Sequence, residues 1–273
     1  MSALQKLGAA AYRIYWSLEK RITPDLVYSQ NRYYQVLRAI VPPGCRWLDL
    51  GCGHQMFADW MRPEEQELAA RASVLTGVDL DFDSLRRNRF AHLRIKANLE
   101  RLPLLSCSFD LLTANMVMEH VEHPETVLRE MHRVLAPGGL FVLHTPNRLN
   151  PGVRLAGVMP RALKNRSVWV LEGRKEEDIF PVFYRMNSVQ EIRNLAARTG
   201  FEVIKLATIR SSAMTAALGP LSVPELLFLR TLRRPRWEHL RSCIICILRK
   251  PVDAHDERQA MAFGDLETIQ IQP

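Results

Sequence analysis

The chain has 273 residues, with 37 Lys and Arg against 29 Asp and Glu and a formal net charge of +8. That length buries a full core without disulfide or metal staples, and an apolar share of 47% with 24% charged residues excludes a disordered or collagen-like chain. The basic excess favours anionic partners such as nucleic acid, phosphorylated compounds or acidic lipid, although a soluble protein with a positive surface fits it equally well. No apolar run reaches the ~18 residues that would mark a membrane-spanning helix. Lys6, Arg13 and Glu19 interrupt the N-terminal apolar pattern, which argues against a secretory leader. Five cysteines, an odd number in a chain too long to need bridges, read as reduced thiols of a cytoplasmic protein.

Residues 3–20 place Leu4, Leu7, Ala11, Ile14, Tyr15 and Leu18 at helical spacing. A second helix follows Pro24 and stops at Pro42-Pro43-Gly44. The pattern then alternates. Strands are expected at 46–50, 74–79, 93–97, 109–114 and 140–144. Helices are expected at 64–71, with Pro63 in the first turn, at 84–90, and at 124–135, ended by Pro137-Gly138-Gly139. This alternation predicts an α/β, Rossmann-like fold: a mostly parallel sheet with helices on both faces. Residues 147–187 break the alternation and carry a run of basic residues, among them Arg148, Arg154, Arg161, Lys164, Arg166, Arg174 and Lys175. A connection of that length is expected to be a lid or substrate loop. Ser188 then caps a helix to Thr199, with Glu191 completing a capping box and Gly200 closing it. A strand at 201–209, a Pro-broken apolar and then basic segment at 211–240 and a last strand at 242–248 follow. Residues 251–273 read as a flexible tail.

The sharpest local signal is Leu48-Asp49-Leu50-Gly51-Cys52-Gly53-His54, placed directly after a strand and before a helix. Glycines there let the chain turn tightly and let a ligand approach the main chain at the carboxyl ends of parallel strands. The next strand ends in Gly77-Val78-Asp79, and an acidic side chain at that tip can accept hydrogen bonds from both hydroxyls of a ribose. Asp79 lies 26 residues past Gly53, near the ~20 expected for such a pair. The plain alternative for Asp79 is a turn residue before the next helix. A pyrophosphate-cradling GxGxxG is not met, because Met56 stands where its last glycine belongs, which argues against a nicotinamide enzyme.

Five segments, LDLGCG at 48–53, GVDLD at 77–81, ANLERLPLLSCSFDLLTANMVMEHVEHP at 97–124, VLAPGGLFVLHTPN at 134–147 and YRMNSVQEIRNLAARTGFEV at 184–203, occur in the order of a known family. They resemble the class I S-adenosylmethionine-dependent methyltransferases, and within them the subgroup of quinone-biosynthesis, small-molecule and glycan O-methyltransferases. The resemblance implies a seven-stranded sheet and S-adenosyl-L-methionine as cofactor. It implies that Gly51 and Gly53 form the loop under the methionine part, and that Asp49 orders that loop or meets the cofactor's ammonium. Asp79 would take the ribose hydroxyls, Leu80 would pack on adenine, Asn98 would accept from the adenine amino group and Leu99 would offer its N–H to the ring. Asn115 and Met116 would meet the cofactor near its methyl donor. Two positions depart from the pattern: Gln55 replaces the third glycine, and Asn98 replaces the usual Asp. These departures keep a degenerate, non-catalytic cofactor-binding protein as an alternative.

The resemblance divides the chain into an N-terminal helical segment covering the site (1–40), a methyltransferase domain (41–250) with a lid at 147–187 and a cap or interfacial helix at 211–240, and the tail at 251–273. At the fourth-strand tip, Asn115-Met116-Val117-Met118 lacks the Asn/Asp-Pro-Pro-aromatic motif that grips a base amine, and no Pro-Cys pair exists for a cytosine C5 enzyme. An oxygen of a small-molecule, glycan or lipid-linked acceptor leads, with an RNA methyltransferase as an alternative. His144, His120, His123 and Tyr184 are possible general bases, each against a capping or packing role. His120 and His123, with Glu119 and Glu122, supply too few convergent ligands for a metal site. Cys243 and Cys246 would face opposite sides of the last strand and read as core. Arg230, Arg233, Arg234, Arg236, Arg241, Arg249 and Lys250 follow the apolar stretch 221–229. Packing with a solvated arginine face, peripheral membrane contact through 220–241 and an anionic-substrate cap all fit them. No nucleic-acid-binding motif accompanies the charge.

Overall fold

A computed structural model describes residues 3–158 and 180–252, together with Phe263, Leu266 and Ile271. The strands are β1 (Arg46–Leu50), β2 (Val74–Asp79), β3 (Leu93–Lys96), β4 (Phe109–Asn115), β5 (Leu135–Pro146), β6 (Glu202–Ile209) and β7 (Cys243–Arg249). They form one sheet in the order β3-β2-β1-β4-β5-β7-β6. Pairing is parallel from β3 through β5, and β7 runs antiparallel between β5 and β6.

Both faces of the sheet are covered, so its central strands are apolar at consecutive positions rather than at alternate ones. On one face α2 (Ser29–Ile40) and α3 (Arg62–Ala69) cover Trp47, Leu75, Leu111, Val142 and Ile245. On the other α5 (Pro124–Val134) and the helix Val189–Arg198 cover Leu48, Leu112, Phe141, Leu143 and Ile244. Cys243 belongs to the first core and Cys246 to the second, as the period of a strand requires.

The remaining helices are α1 (Ala3–Ile22), α4 (Phe82–Arg87) and α6 (Pro151–Val158), followed by α7, the helix Val189–Arg198, and α8 (Val223–Thr231). Two sequence expectations are corrected. Helix α4 starts two residues early because Asp81 is its N-cap, accepting the Asp83 and Ser84 N–H groups, and it stops at Arg87. Pro137-Gly138-Gly139 does not end α5; it lies inside β5, where Leu135 already pairs with Phe109 and a bulge separates that pair from Leu111↔Leu140. Carbonyls at the end of α5 are met instead by the Lys250 ammonium, 2.8 Å from both His132 O and Leu135 O. The Ser188 cap forms as expected, except that Glu191 returns its bonds to the Ser188 hydroxyl and the Asn187 N–H.

Helix α1 packs on residues 213–240, with Tyr15, Ala216, Leu226, Leu229 and Leu232 closing a small separate core. Gly219 sits at φ +57°, and a Cβ there would come within 3.2 Å of the Ala11 Cα, so the close approach to α1 requires glycine. Asp25 ties the α1–α2 connection to Arg233 of this unit at 3.3 Å and to Arg210, just past β6, at 2.7 Å. Of the segment expected as a lid, residues 159–179, which include Arg161, Lys164, Arg166, Arg174 and Lys175, lie outside the described residues. So does most of the expected tail, of which Phe263, Leu266 and Ile271 pack against the α2-side core.

Candidate cofactor and acceptor site

The parallel strands β1, β2 and β4 all deliver their carboxyl ends to one edge of the sheet, the edge at which such folds bind ligands. Gly51 and Gly53 follow β1 with φ of 59° and 47°. The Gly53 N–H donates to Asp79 Oδ2 at 2.8 Å, and the Asp81 N–H donates to Asp79 Oδ1 at 2.8 Å. One carboxylate therefore holds the β1 and β2 loops together and keeps a further lone pair on each oxygen for two hydroxyl donors. A Cβ on Gly53 would meet nothing nearer than Asp79 Oδ2 at 4.0 Å, so the loop leaves an open cradle beside that carboxylate. Leu80, next in the chain, is 55% exposed, an apolar surface at the position where an adenine face would lie. These residues fit S-adenosylmethionine.

Gly51 is sterically sealed: a Cβ there would lie 2.6 Å from Val117 Cγ2. Gly51→Ala is expected to cost about 2–5 kcal/mol, combining a left-handed non-glycine residue with overpacking. Adding Val117→Ala should recover only the overpacking part. Thermal unfolding of the single and double variants checks this.

Behind the loop runs a buried polar line on the α2 face. Asp49 and Thr113 are register partners across β1 and β4. The Trp47 indole N–H donates to Thr113 Oγ1 at 2.7 Å, and the Thr113 hydroxyl donates to Asp49 Oδ1 at 2.6 Å. Burial pushes the Asp49 carboxyl up to about 8, against the lowering effect of the Thr113 bond. The folded protein thus holds this proton more tightly than the unfolded chain. Stability from the protonated form is full below the ordinary carboxyl value of 3.8 and is lost as pH rises towards about 8. Asp49→Asn is expected to flatten that decline and to raise Tm at pH 8 by a few degrees, about 2–4 °C per kcal/mol at this size. Melting curves across the same pH range check the sign.

The line continues at Asn115 and His144, register partners across β4 and β5. Asn115 Nδ2 donates to Gln30 Oε1 at 2.8 Å and to Met56 O at 2.7 Å, while its Oδ1 accepts from Gln30 Nε2 at 3.3 Å and lies 2.8 Å from His144 Nδ1. The amide is fully used inside the protein, where it braces the chain after β1 at Met56. Met116 adopts φ 56°, donates its N–H to His144 O and packs on the α2-side core. His144 is fully buried, stacked on Tyr33 at 5.4 Å, and burial lowers its pKa to about 3. Among the possible bases it is a neutral packing group. His120 contacts Pro181 O and the edge of Phe180, and His123 is exposed at the start of α5. Asn98 is exposed and accepts the Glu100 N–H at 3.0 Å, and Leu99 rests half-buried on the α5-side core.

The residue that sequence reading undervalued is Glu119, considered there only as a poor metal ligand. It follows β4 in the short turn Met118–His120 and is 5% exposed. Thr145 Oγ1 donates to its Oε2 at 3.2 Å, and burial pushes the carboxyl up to about 7. The Phe183 and Tyr184 N–H groups donate to its backbone carbonyl. Tyr184, at φ 52°, is close enough that burial and the Glu119 charge raise its phenol. Asn187 donates to Thr145 Oγ1 at 2.7 Å, and its own buried Oδ1 has no partner. The signal available in the sequence was a carboxyl set in the apolar run VMEHV, just past the strand tip.

Residues 26–206 match a family described as a methyltransferase domain. An uncharacterized methyltransferase of Mycobacterium bovis is 32% identical over 128 residues, covering 44% of this chain and 61% of that protein. A ubiquinone biosynthesis O-methyltransferase of Xanthomonas axonopodis is 28% identical over 169 residues, covering 58% of this chain and 66% of that one. This chain therefore spans somewhat under two thirds of the length of these relatives. Among solved structures, a putative methyltransferase in complex with the Trm112 activator of Haloferax volcanii has a TM-score of 0.53 at 16% identity, covering 90% of this chain and 97% of that one. The [4+2]-cyclase SpnF has a TM-score of 0.52 at 17% identity, covering 82% of each chain. These likenesses show the fold, and the cyclase shows that the fold alone does not fix the chemistry. By family match, sheet order and the loops built around Gly51 and Asp79, the chain belongs to the class I S-adenosylmethionine-dependent methyltransferases.

Proposed function

We propose that this protein transfers the methyl group of S-adenosylmethionine to an oxygen of a small-molecule acceptor, with Glu119 as the general base. The observation that carries this reading is a buried carboxyl, raised to about 7, one turn past the tip of β4. The likeness to a ubiquinone biosynthesis O-methyltransferase supports the choice of oxygen. When bound, the cofactor supplies an electrophilic methyl group on a sulfonium. Asp79 and the Gly51–Gly53 loop hold it by the ribose and the methionine part, Leu80 and Leu99 border the adenine, and Asn115 braces the chain after β1 at Met56. Ionised Glu119 takes the proton of an acceptor hydroxyl, leaving the oxygen free to attack, and the Thr145 hydroxyl steadies the carboxylate while it waits. A base poised near neutrality matches a phenol-like hydroxyl better than an amine, which needs no base of this strength once uncharged.

The test is incubation with methyl-labelled S-adenosylmethionine and a panel of phenols, sugar alcohols, primary amines and RNA. Label recovered as a methyl ether is the expected result. Label only in amine or RNA overturns the oxygen assignment. Cofactor binding without label in any acceptor favours the non-catalytic alternative.

A further inference from the structure

The unit formed by α1 and residues 213–240 lies entirely outside the family match at 26–206 and has a small core of its own. Its inner side is closed by Tyr15, Leu226, Leu229 and Leu232. Its outer side is also apolar. Leu218 and Leu221, flanking the Gly219–Pro220 kink, are 51% and 74% exposed, and Leu227 on α8 is 49% exposed. Arg230 follows Leu227 one helical turn on, on the same side of α8. Arg234 and Arg236 are exposed just beyond, and the Arg236 guanidinium lies 5.3 Å from the Trp237 ring.

The nearby acidic groups are mostly spent elsewhere. Glu225 accepts the Met214 and Thr215 N–H groups at 3.0 and 2.9 Å, and Asp25 is paired with buried Arg210 and with Arg233. Glu238 is the exposed exception. Among the described residues, Arg230, Arg234 and Arg236 make no ion pair. The other basic residues at this end of the sequence have structural work: Arg241 is buried against Leu232 O and Thr208 O, Arg249 pairs with Glu202, and Lys250 meets the end of α5.

We propose that this face docks on a bilayer containing anionic lipid. Exposed leucines suit the headgroup–acyl boundary, and the unpaired arginines suit the phosphates of the headgroups. A solvated arginine face leaves the leucines unexplained, and a nucleic-acid surface does the same. The two together are complementary to an anionic lipid surface and not to either half alone. Residues 213–240 also touch the start of α6, just past β5, where Met214 Sδ would lie 3.3 Å from a Cβ on Gly152. The proposal stands whichever acceptor is methylated.

Flotation of the full chain with phosphatidylcholine vesicles, with and without phosphatidylglycerol, tests it. Binding is expected only to the phosphatidylglycerol vesicles and should fall as salt is raised. Arg230→Gln with Arg234→Gln and Arg236→Gln should lower the partition coefficient by about 10²-fold, at roughly fivefold per basic residue. Leu218→Ser with Leu221→Ser and Leu227→Ser should lower it by more than ~10-fold. Unchanged melting curves and cofactor calorimetry establish that each variant is folded, and separate this result from the function assay. Wild-type protein that floats with neither vesicle, or arginine variants that float as wild type does, would overturn the proposal. So would binding to an RNA homopolymer, or a leucine-dependent dimer, in protein that ignores both vesicles.

Discussion

Asp79→Ala is expected to weaken S-adenosylhomocysteine binding by at least ~10²-fold while leaving the fold intact. Asp79 accepts one backbone N–H from each of two loops, Gly53 on one side and Asp81 on the other. Each bond to a charged group is worth about 1.5–3 kcal/mol. Removing the carboxylate both frees the Gly53 loop and deletes the acceptors for two ribose hydroxyls, so the loss falls on binding more than on folding. Asp79→Asn should be intermediate, because one oxygen can still accept. Calorimetric titration of the three proteins reads the series directly. Equal affinity in all three would mean that Asp79 only shapes a turn.

Glu119→Gln is expected to lower kcat by about 10²- to 10⁴-fold, the usual range for losing a general base, with cofactor affinity unchanged. The wild-type rate should climb as pH rises through about 7, because only the ionised carboxylate accepts a proton and burial holds its pKa there. The Gln variant should show no such step. The amide keeps the shape and still accepts from Thr145, so a purely structural Glu119 would leave the pH profile as it was. That contrast separates a base from a buried bracing group.

Much of the fold around this site is legible in the sequence. Strands β1 and β2 occupy the residues their apolar runs predict, because a sheet covered on both faces leaves nothing else for those runs to do. Gly53 and Asp79 come into contact because each follows a strand end that the parallel topology brings to one edge. The parts that sequence could not give depend on partners distant in the chain. Lys250 and not the Pro-Gly-Gly turn closes α5, because the antiparallel return of β7 places that ammonium beside the helix end. His144, which stands at the right strand end for a base, is walled in by Tyr33 from α2. Asn115, expected to face the cofactor, is instead saturated by Gln30, Met56 and His144. Glu119 acquires its raised pKa from burial, which outweighs the lowering effect of the bond from Thr145, 26 residues away, a balance no local motif encodes.

Residue type alone does not tell the arginines of 230–241 apart. Charge and hydropathy are the same for Arg230 and Arg241, yet one is exposed and makes no ion pair among the described residues, and the other is buried on two carbonyls. Only the placement of α1 against residues 213–240 separates a surface from a core.

The Gly51–Gly53 loop and Asp79 are expected to form a working S-adenosylmethionine site despite Gln55 and Asn98. Calorimetric titration of the folded wild-type chain with S-adenosylmethionine and S-adenosylhomocysteine tests it most directly. Saturable one-site binding at micromolar concentration is the predicted result. A protein with a normal melting transition that binds neither compound would instead place Gln55 and Asn98 among the causes of a site that has lost its ligand.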